Sequence, residues 1–217
     1  MHQEIAPVTK RLEVSQKTLS LEFISPEIAS TATPGQFVNI KVDRSAGPLL
    51  RRPMSICDVE GERVTILFNV VGRGTSILAR TMPGESIDVL GPLGHGFNLT
   101  EDFDLAIMMA GGLGVAPFPF LTRELKRKQK NIVTLVGART EKQLAIDGLE
   151  NVLVATDDGS RGFRGTVVDL VRTKLSQYSA LRSRLFSCGP TAMLKALQEL
   201  ISTTDIKCDV SLETPMA

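Results

Sequence analysis

The 217-residue sequence predicts an antiparallel β-barrel followed by a doubly wound α/β domain. Three observations carry that prediction. Up to about residue 98 the apolar residues fall in short strand-like segments separated by Pro, Gly and Asp-rich turns. From about residue 103 strands alternate with helical stretches. The run DLAIMMA (104–110) is apolar throughout, as expected for a parallel strand covered on both faces. The expected domains are 1–98 and 99–217, divided in the loop GPLGHGFNLTED (91–102).

In the first half the strand candidates are LSLEFIS (19–25), QFVNIKV (36–42), MSICDV (54–59), RVTILFNV (63–70) and SIDVLG (86–91). Turns such as ATPG and VEGE separate them, and strands at this spacing suit a barrel. One brief helix, Thr75 to Arg80, follows GRG. In the second half DLAIMMA is joined by NIVTLVG (131–137), NVLVAT (151–156), RLFSC (184–188) and KCDVSLE (207–213). Helical stretches at 117–128, 166–176 and 190–202 lie between them, which makes a sheet of about five parallel strands. In the last helix Met193, Ala196, Leu197, Leu200 and Ile201 share one face and should pack on the sheet. There is no internal repeat and no low-complexity linker.

Composition narrows the function classes. A formal net charge of +1 gives no electrostatic reason to expect nucleic acid or an anionic membrane as partner. The cluster Lys126-Arg127-Lys128 with Lys130 fits a solvated helix end. No apolar run approaches the roughly 20 residues needed to span a bilayer. The N-terminus MHQEIAPVTKRLEV alternates polar and apolar residues, with Glu4 early, unlike a signal peptide, so a cytoplasmic protein is expected. Cys57, Cys188 and Cys208 are too far apart for a disulfide framework or a self-contained metal site, and fit isolated core thiols.

Several stretches can carry chemistry. Gly111, Gly112 and Gly114 follow the first parallel strand directly. Such glycines permit a turn and let backbone N–H groups approach a phosphate, and Pro117 suits the first turn of the next helix. Glycines serving only to turn the chain are the competing reading. In LLRRPMSI (49–56), Arg51 and Arg52 could grip a phosphate and Ser55 bond a ring or ribose edge, against a solvated arginine pair. In NVVGRGTSILAR (69–80), two glycines precede a helix with Thr75 and Ser76 as capping candidates, a second anion site of the same kind. Two such sites on two domains imply two phosphate-bearing ligands. In SCGPTAML (187–194), Cys188, Gly189 and Pro190 end a strand where ligands of open α/β sheets bind. A catalytic thiol there lacks an obvious base, since neither His2 nor His95 is placed for it. The stretch TDDGSRGFRG (156–165) points Asp157, Asp158, Gly159 and Ser160 to the same edge, and fits a turn better than a metal site.

Together these motifs resemble the ferredoxin–NADP reductase superfamily, most closely the electron-transfer subunits of dihydroorotate dehydrogenase, over essentially the whole chain. The resemblance implies FAD contacts at Arg52-Pro53-Met54-Ser55, at Phe68-Asn69-Val70 and, for the pyrophosphate, at Gly74-Thr75. It implies a nicotinamide-nucleotide site at Gly111-Gly112-Leu113-Gly114-Val115-Ala116-Pro117 and matches the family's Cys-Gly-Pro signature to Cys188-Gly189-Pro190. The cofactors would carry hydride transfer themselves, so no general acid or base is named, although Cys188 would stand near the nicotinamide. NAD(H) is favoured over NADP(H) by resemblance, while Arg139 and Lys142 in GARTEKQ could meet a 2′-phosphate. The partner would be a flavin-containing catalytic dehydrogenase subunit or a ferredoxin-like carrier, in a hetero-oligomer.

Two departures accompany the resemblance. Met54 stands where many plant-type reductases carry a flavin-stacking tyrosine, so Met54 and Ile56 would have to supply apolar contacts instead. In the electron-transfer subunits a stretch similar to VSLETPMA leads into cysteines that bind a [2Fe–2S] cluster, whereas this sequence ends at Ala217. Truncation is the favoured explanation over natural loss. The alternatives are a related subunit of a ferredoxin:NADP oxidoreductase or hydrogenase, and a non-catalytic flavin- or nucleotide-binding module.

Overall fold

The computed structural model describes residues 1–42 and 50–212, in two compact units that divide between Gly96 and Phe97. Leu49 and the segment from Glu213 to Ala217, which belong to stretches singled out above, lie outside the described residues.

Among the described residues of the first unit, six antiparallel strands close a barrel: β1 (His2–Ser15), β2 (Thr18–Ile24), β3 (Phe37–Lys41), β4 (Arg52–Glu60), β5 (Arg63–Asn69) and β6 (Ser86–Leu93). Their spatial order is β1-β2-β5-β4-β3-β6, and β6 pairs back to β1. The closing strand β1 is absent from the sequence expectation. Its alternation is broken because it serves two neighbours: His2 to Pro7 pair with β6, whereas Val8 to Ser15 pair with β2 across a register shift between Val8 and Lys10. Ala6 and Val8 therefore face the core while Ile5 and Leu12 are exposed, so the apolar set does not keep one phase. Pro7 lies where the strand leaves β6 and its missing N–H does least harm to the ladder. Phe23, Ile40, Ile56, Ile66, Phe68 and Val89 fill the interior.

Two short helices accompany the barrel. Helix α1 (Pro26–Thr31), also unforeseen, has too few residues to show a period. Its first turn is fixed from outside, because the Glu4 carboxylate accepts from the Ile28 N–H at 3.2 Å and from the Ser25 hydroxyl. Helix α2 (Arg73–Leu78) begins two residues earlier than expected.

The second unit is a parallel sheet of β7 (Leu105–Gly111), β8 (Asn131–Ala138), β9 (Val152–Thr156), β10 (Phe163–Arg164), β11 (Ser183–Cys188) and β12 (Lys207–Ser211). The spatial order is β10-β9-β8-β7-β11-β12. The chain starts in the middle at β7, builds outward through β8 and β9, then crosses back to lay β11 on the other side of β7. That reversal puts the switch point between β7 and β11. The strand beyond the expected five is β10, a two-residue strand within TDDGSRGFRG that pairs Phe163 with Ala155 and Arg164 with Thr156.

Helices α3 (Phe118–Arg127), α4 (Val167–Ser179) and α5 (Thr191–Ile201) cover the sheet. Val167 and Val171 of α4 and Leu197 of α5 pack with Ile107, Leu135 and Leu185, and Met193, Ala196, Leu200 and Ile201 join them on the expected face. On the other side of β7, Thr122 of α3 approaches Met108 Sδ at 3.9 Å. Phe97 stands edge-on to Phe186 with ring centroids 5.5 Å apart. The basic run at the end of α3 is held by neighbours: Lys126 by Glu150 at 2.7 Å, Arg127 by Glu124 at 2.6 Å, and Lys130 by the Phe103 carbonyl at 2.6 Å. Among the described residues no helix is long and apolar enough to cross a membrane.

Candidate functional site

The candidate residues fall in both units. In the barrel the two adjacent arginines have different tasks. Arg51 donates to Asp88 Oδ1 at 2.8 Å and to the Asp88 and Asn39 carbonyls at 3.1 and 3.3 Å. Its side chain and that of Asp88 are only 22% and 11% exposed, so Arg51 braces β3 and β6 and is committed to the barrel wall. Of the expected pair, Arg51 is thus taken up by the barrel wall, and Arg52 is placed differently. Its Nη1 donates to the Leu50 carbonyl at 2.8 Å, and its guanidinium lies against the Cα of Gly74. A Cβ at position 74 would stand 2.6 Å from Arg52 Nε, so glycine is what lets the side chain cross the start of α2.

Thr75 is not the helix cap that the sequence suggested, because Gly72 occupies that position. The Thr75 hydroxyl accepts from the Val71 and Gly72 N–H groups at 2.9 and 3.1 Å and donates to the Gly72 carbonyl at 3.1 Å, so it folds the loop back on itself. Arg52, remote in sequence, is thus brought against the Gly74-Thr75 loop.

The remaining barrel candidates differ in what they offer. Phe68 is 1% exposed and belongs to the core, while Asn69 accepts from the Thr18 hydroxyl at 2.7 Å and Val70 ends the strand by donating to the Lys17 carbonyl at 3.1 Å. On β4, Pro53 is exposed, Ser55 is half-buried and Met54 is 8% exposed. Ile56 is fully buried opposite Ile66, so the expectation that it contributes apolar contact to a flavin ring is overturned. Strand alternation turns it into the barrel, and Ser55 is the neighbour that faces out.

In the second unit the glycines at the end of β7 divide between two tasks. Gly112 has φ +55°, a left-handed conformation that glycine adopts freely, and a Cβ there would meet nothing within 4 Å. Its Cα therefore faces open space, as close approach of a ligand requires. Gly114 is the opposite case, since a Cβ would fall on the Cys188 carbonyl and lie 2.7 Å from the Gly189 Cα. Gly111 and Gly189 likewise press together, with a Cβ on Gly189 3.0 Å from the Gly111 nitrogen. The two signatures expected at the sheet edge, Gly111-Gly112-Gly114 and Cys188-Gly189-Pro190, are one packed pair of turns at the switch point between β7 and β11, where Ala110 pairs with Cys188.

The glycines do not run directly into a long helix. A 3₁₀ turn, Gly112–Val115, comes first, and α3 starts only after Ala116 and Pro117. Val115 and Ala116 are buried and hold that turn onto the sheet. Arg139 and Lys142 are exposed beyond the end of β8, beside Glu141, whose carboxylate is 3.7 Å from Arg161. Asp158 accepts from the Ser160 N–H and hydroxyl at 2.9 and 2.6 Å, bonds that lower its carboxyl below the usual carboxylate range, and Ser160 in turn accepts from the Glu141 N–H at 2.8 Å. This is a tied turn.

The cysteines do not make a cluster site. Burial pushes the Cys57 and Cys208 thiols up to about 12, which disfavours the thiolate that a metal needs. Cys188 is 2% exposed under the glycine turns. Among the described residues no three His, Cys, Asp or Glu side chains are grouped to hold a metal ion.

A closed antiparallel barrel followed by a parallel sheet with a glycine turn at its switch point defines a ferredoxin–NADP reductase-like protein. The solved NADH-dependent reduced ferredoxin-NADP oxidoreductase superimposes with a TM-score of 0.87 at 27% identity, over 98% of this chain and 78% of that one. A ferredoxin NADP+ reductase from Neisseria gonorrhoeae with bound FAD and NADP shares the fold at a TM-score of 0.80 and 15% identity, over 97% and 99% of the two chains. No family model matches the chain.

Within that class the chain belongs to the family of the dihydroorotate dehydrogenase B (NAD(+)) electron transfer subunit. It is 38% identical to that subunit of Desulforamulus reducens over 210 residues, covering 94% of this chain and 79% of the relative. With the subunit of Bacillus caldolyticus it shares 36% identity, covering 91% and 78%.

Proposed function

We propose that the chain binds FAD on the barrel and NAD(H) at the glycine turn, and passes electrons from the nicotinamide nucleotide to a separate catalytic dehydrogenase subunit that acts on dihydroorotate, in pyrimidine biosynthesis. The observation that carries this reading is the pair of cradles: Arg52 laid across Gly74 in the barrel, and the open, left-handed Gly112 above the packed turns of the second unit. Each offers what a phosphate-bearing ligand needs, a guanidinium in one case and close backbone approach in the other. Arg52, Gly74 and Thr75 would hold the FAD pyrophosphate, Ser55 and the strand end at Asn69-Val70 would meet the flavin, and Gly112 with its turn would hold the nucleotide pyrophosphate. Bound flavin supplies the conversion between two-electron and one-electron transfer, and the chain's own residues bind and orient. NAD(H) is the favoured nucleotide, in line with the NAD(+) in the relatives' names. The assembly is a hetero-oligomer of the cytoplasm.

A visible spectrum of the purified protein, before and after anaerobic NADH and then NADPH, tests the reading. Flavin bands that bleach promptly, faster with NADH, are expected. A colourless protein that takes up no added FAD would overturn the flavin site, and bound flavin that neither nucleotide reduces would leave a non-catalytic binding module.

A further inference from the structure

We infer that Met193 is a positioning residue for the nucleotide site: its thioether is the wedge that locks the Gly111 and Gly189 turns into one unit and so fixes the ligand-facing Gly112. This rests on the nucleotide site proposed above. Met193 is the third residue of α5, and its side chain is partly buried against the core formed by α4, α5 and the sheet. Its far end reaches both turns at once. A Cβ at position 111 would meet Met193 Sδ at 2.5 Å, and one at position 189 would meet Met193 Cε at 2.6 Å. The space that two absent Cβ atoms leave is therefore filled by one unbranched side chain. Methionine suits the task, because a long, flexible, polarisable side chain can thread a gap bounded by backbone on two sides.

The consequence follows from what stands above the wedge. Gly111 ends β7, and the next residue is Gly112, where nothing stands within 4 Å of the place a Cβ would take. Its position is set by Gly111 below and by Gly114, which is pressed on the Cys188 carbonyl. Truncating Met193 removes the common support of both turns, while β7, β11 and the rest of α5 remain. A displacement of the turn by a fraction of an ångström is enough to weaken backbone contact with a phosphate.

The test compares Met193→Ala, Met193→Leu and a control, Leu197→Ala. Leu197 sits about one turn further along α5, is 1% exposed in the same core, and is not among the nearest neighbours of either glycine. For each variant, NADH is titrated by the rate of flavin reduction, and amide hydrogen exchange is followed at 111–114 and 188–190 without nucleotide. Met193→Ala is expected to raise the NADH concentration for half-maximal reduction about tenfold, equivalent to about 1.4 kcal/mol. It should speed exchange in both turns and leave the FAD content unchanged. Met193→Leu, which keeps most of the volume, should recover part of each effect. Leu197→Ala should lower stability without either change.

Wild-type titration and exchange in Met193→Ala, or equal changes in Leu197→Ala, would overturn the wedge. If NADH and NADPH both fail to reduce the wild-type protein, it is the proposed function that falls. The exchange comparison then still decides whether Met193 holds the turns.

Discussion

The guanidinium of Arg52 rests on the Cα of Gly74, with Nε 2.6 Å from where a Cβ would be, so these two residues, 22 positions apart, occupy one site. Either can be used to disturb it. Arg52→Ala removes the charge and Gly74→Ala displaces it, and both are expected to lower the FAD-to-protein ratio after gel filtration well below one. Stoichiometric FAD in either purified variant would count against the barrel assignment.

Arg51→Ala should behave differently although it is the adjacent residue. It leaves the buried Asp88 with Gln3, 3.0 Å away, as its remaining side-chain partner among the hydrogen bonds described. A stability loss of about 1–3 kcal/mol in denaturant unfolding is expected, with FAD retained when the protein is folded. The contrast with Arg52→Ala is the check, since two exposed arginines would give two similar variants.

Substitutions in the glycine turn should separate strain from overlap. Gly112→Val puts a β-branched residue at φ +55°, a strain of about 1–2 kcal/mol or more, and stands it in the open space where the nucleotide is proposed to bind. Nucleotide binding should weaken at least about tenfold while FAD stays bound, because FAD is assigned to the other unit. Gly114→Ala places its methyl not in open space but on the Cys188 carbonyl, so a stability loss of about 1–3 kcal/mol is expected first. Isothermal titration with NADH and urea unfolding, run on both variants, distinguish the two effects; equal loss of FAD and nucleotide in Gly112→Val would show that the sites are mapped wrongly.

Alkaline pH should unfold the protein through its thiols. Burial raises Cys57 and Cys208 from 9.0 to about 12, and raises Tyr178 in the same direction. A group held protonated by the fold stabilises it fully below its unfolded pKa, and that contribution is lost as pH rises through the folded one. Stability to urea should therefore fall between about pH 9 and 12, less steeply in Cys57→Ala. The buried Cys57 thiol should not react with a disulfide reagent at pH 8 until denaturant is added.

The two-domain plan was legible because each half obeys one period. Segments such as RVTILFNV show short strands, and the unbroken DLAIMMA shows a strand covered on both faces. The family was legible from the motifs in combination and order, since each glycine stretch alone also fits a simple turn. What escaped was whatever depends on a neighbour remote in sequence. Strand β1 hides its phase by changing partner at Val8, and α1 owes its first turn to Glu4, 24 residues before Ile28.

The same holds within the sites. The sequence determined that Arg51 and Arg52 lie together and that Gly111, Gly112 and Gly114 follow a strand. Only the tertiary structure decided that Asp88 claims Arg51, that Gly74 admits Arg52, and that of the three glycines Gly112 alone has open space where its Cβ would be. The reason is steric and electrostatic: a side chain's availability depends on which groups the fold brings within a few ångströms of it, and those groups come from other elements of the chain.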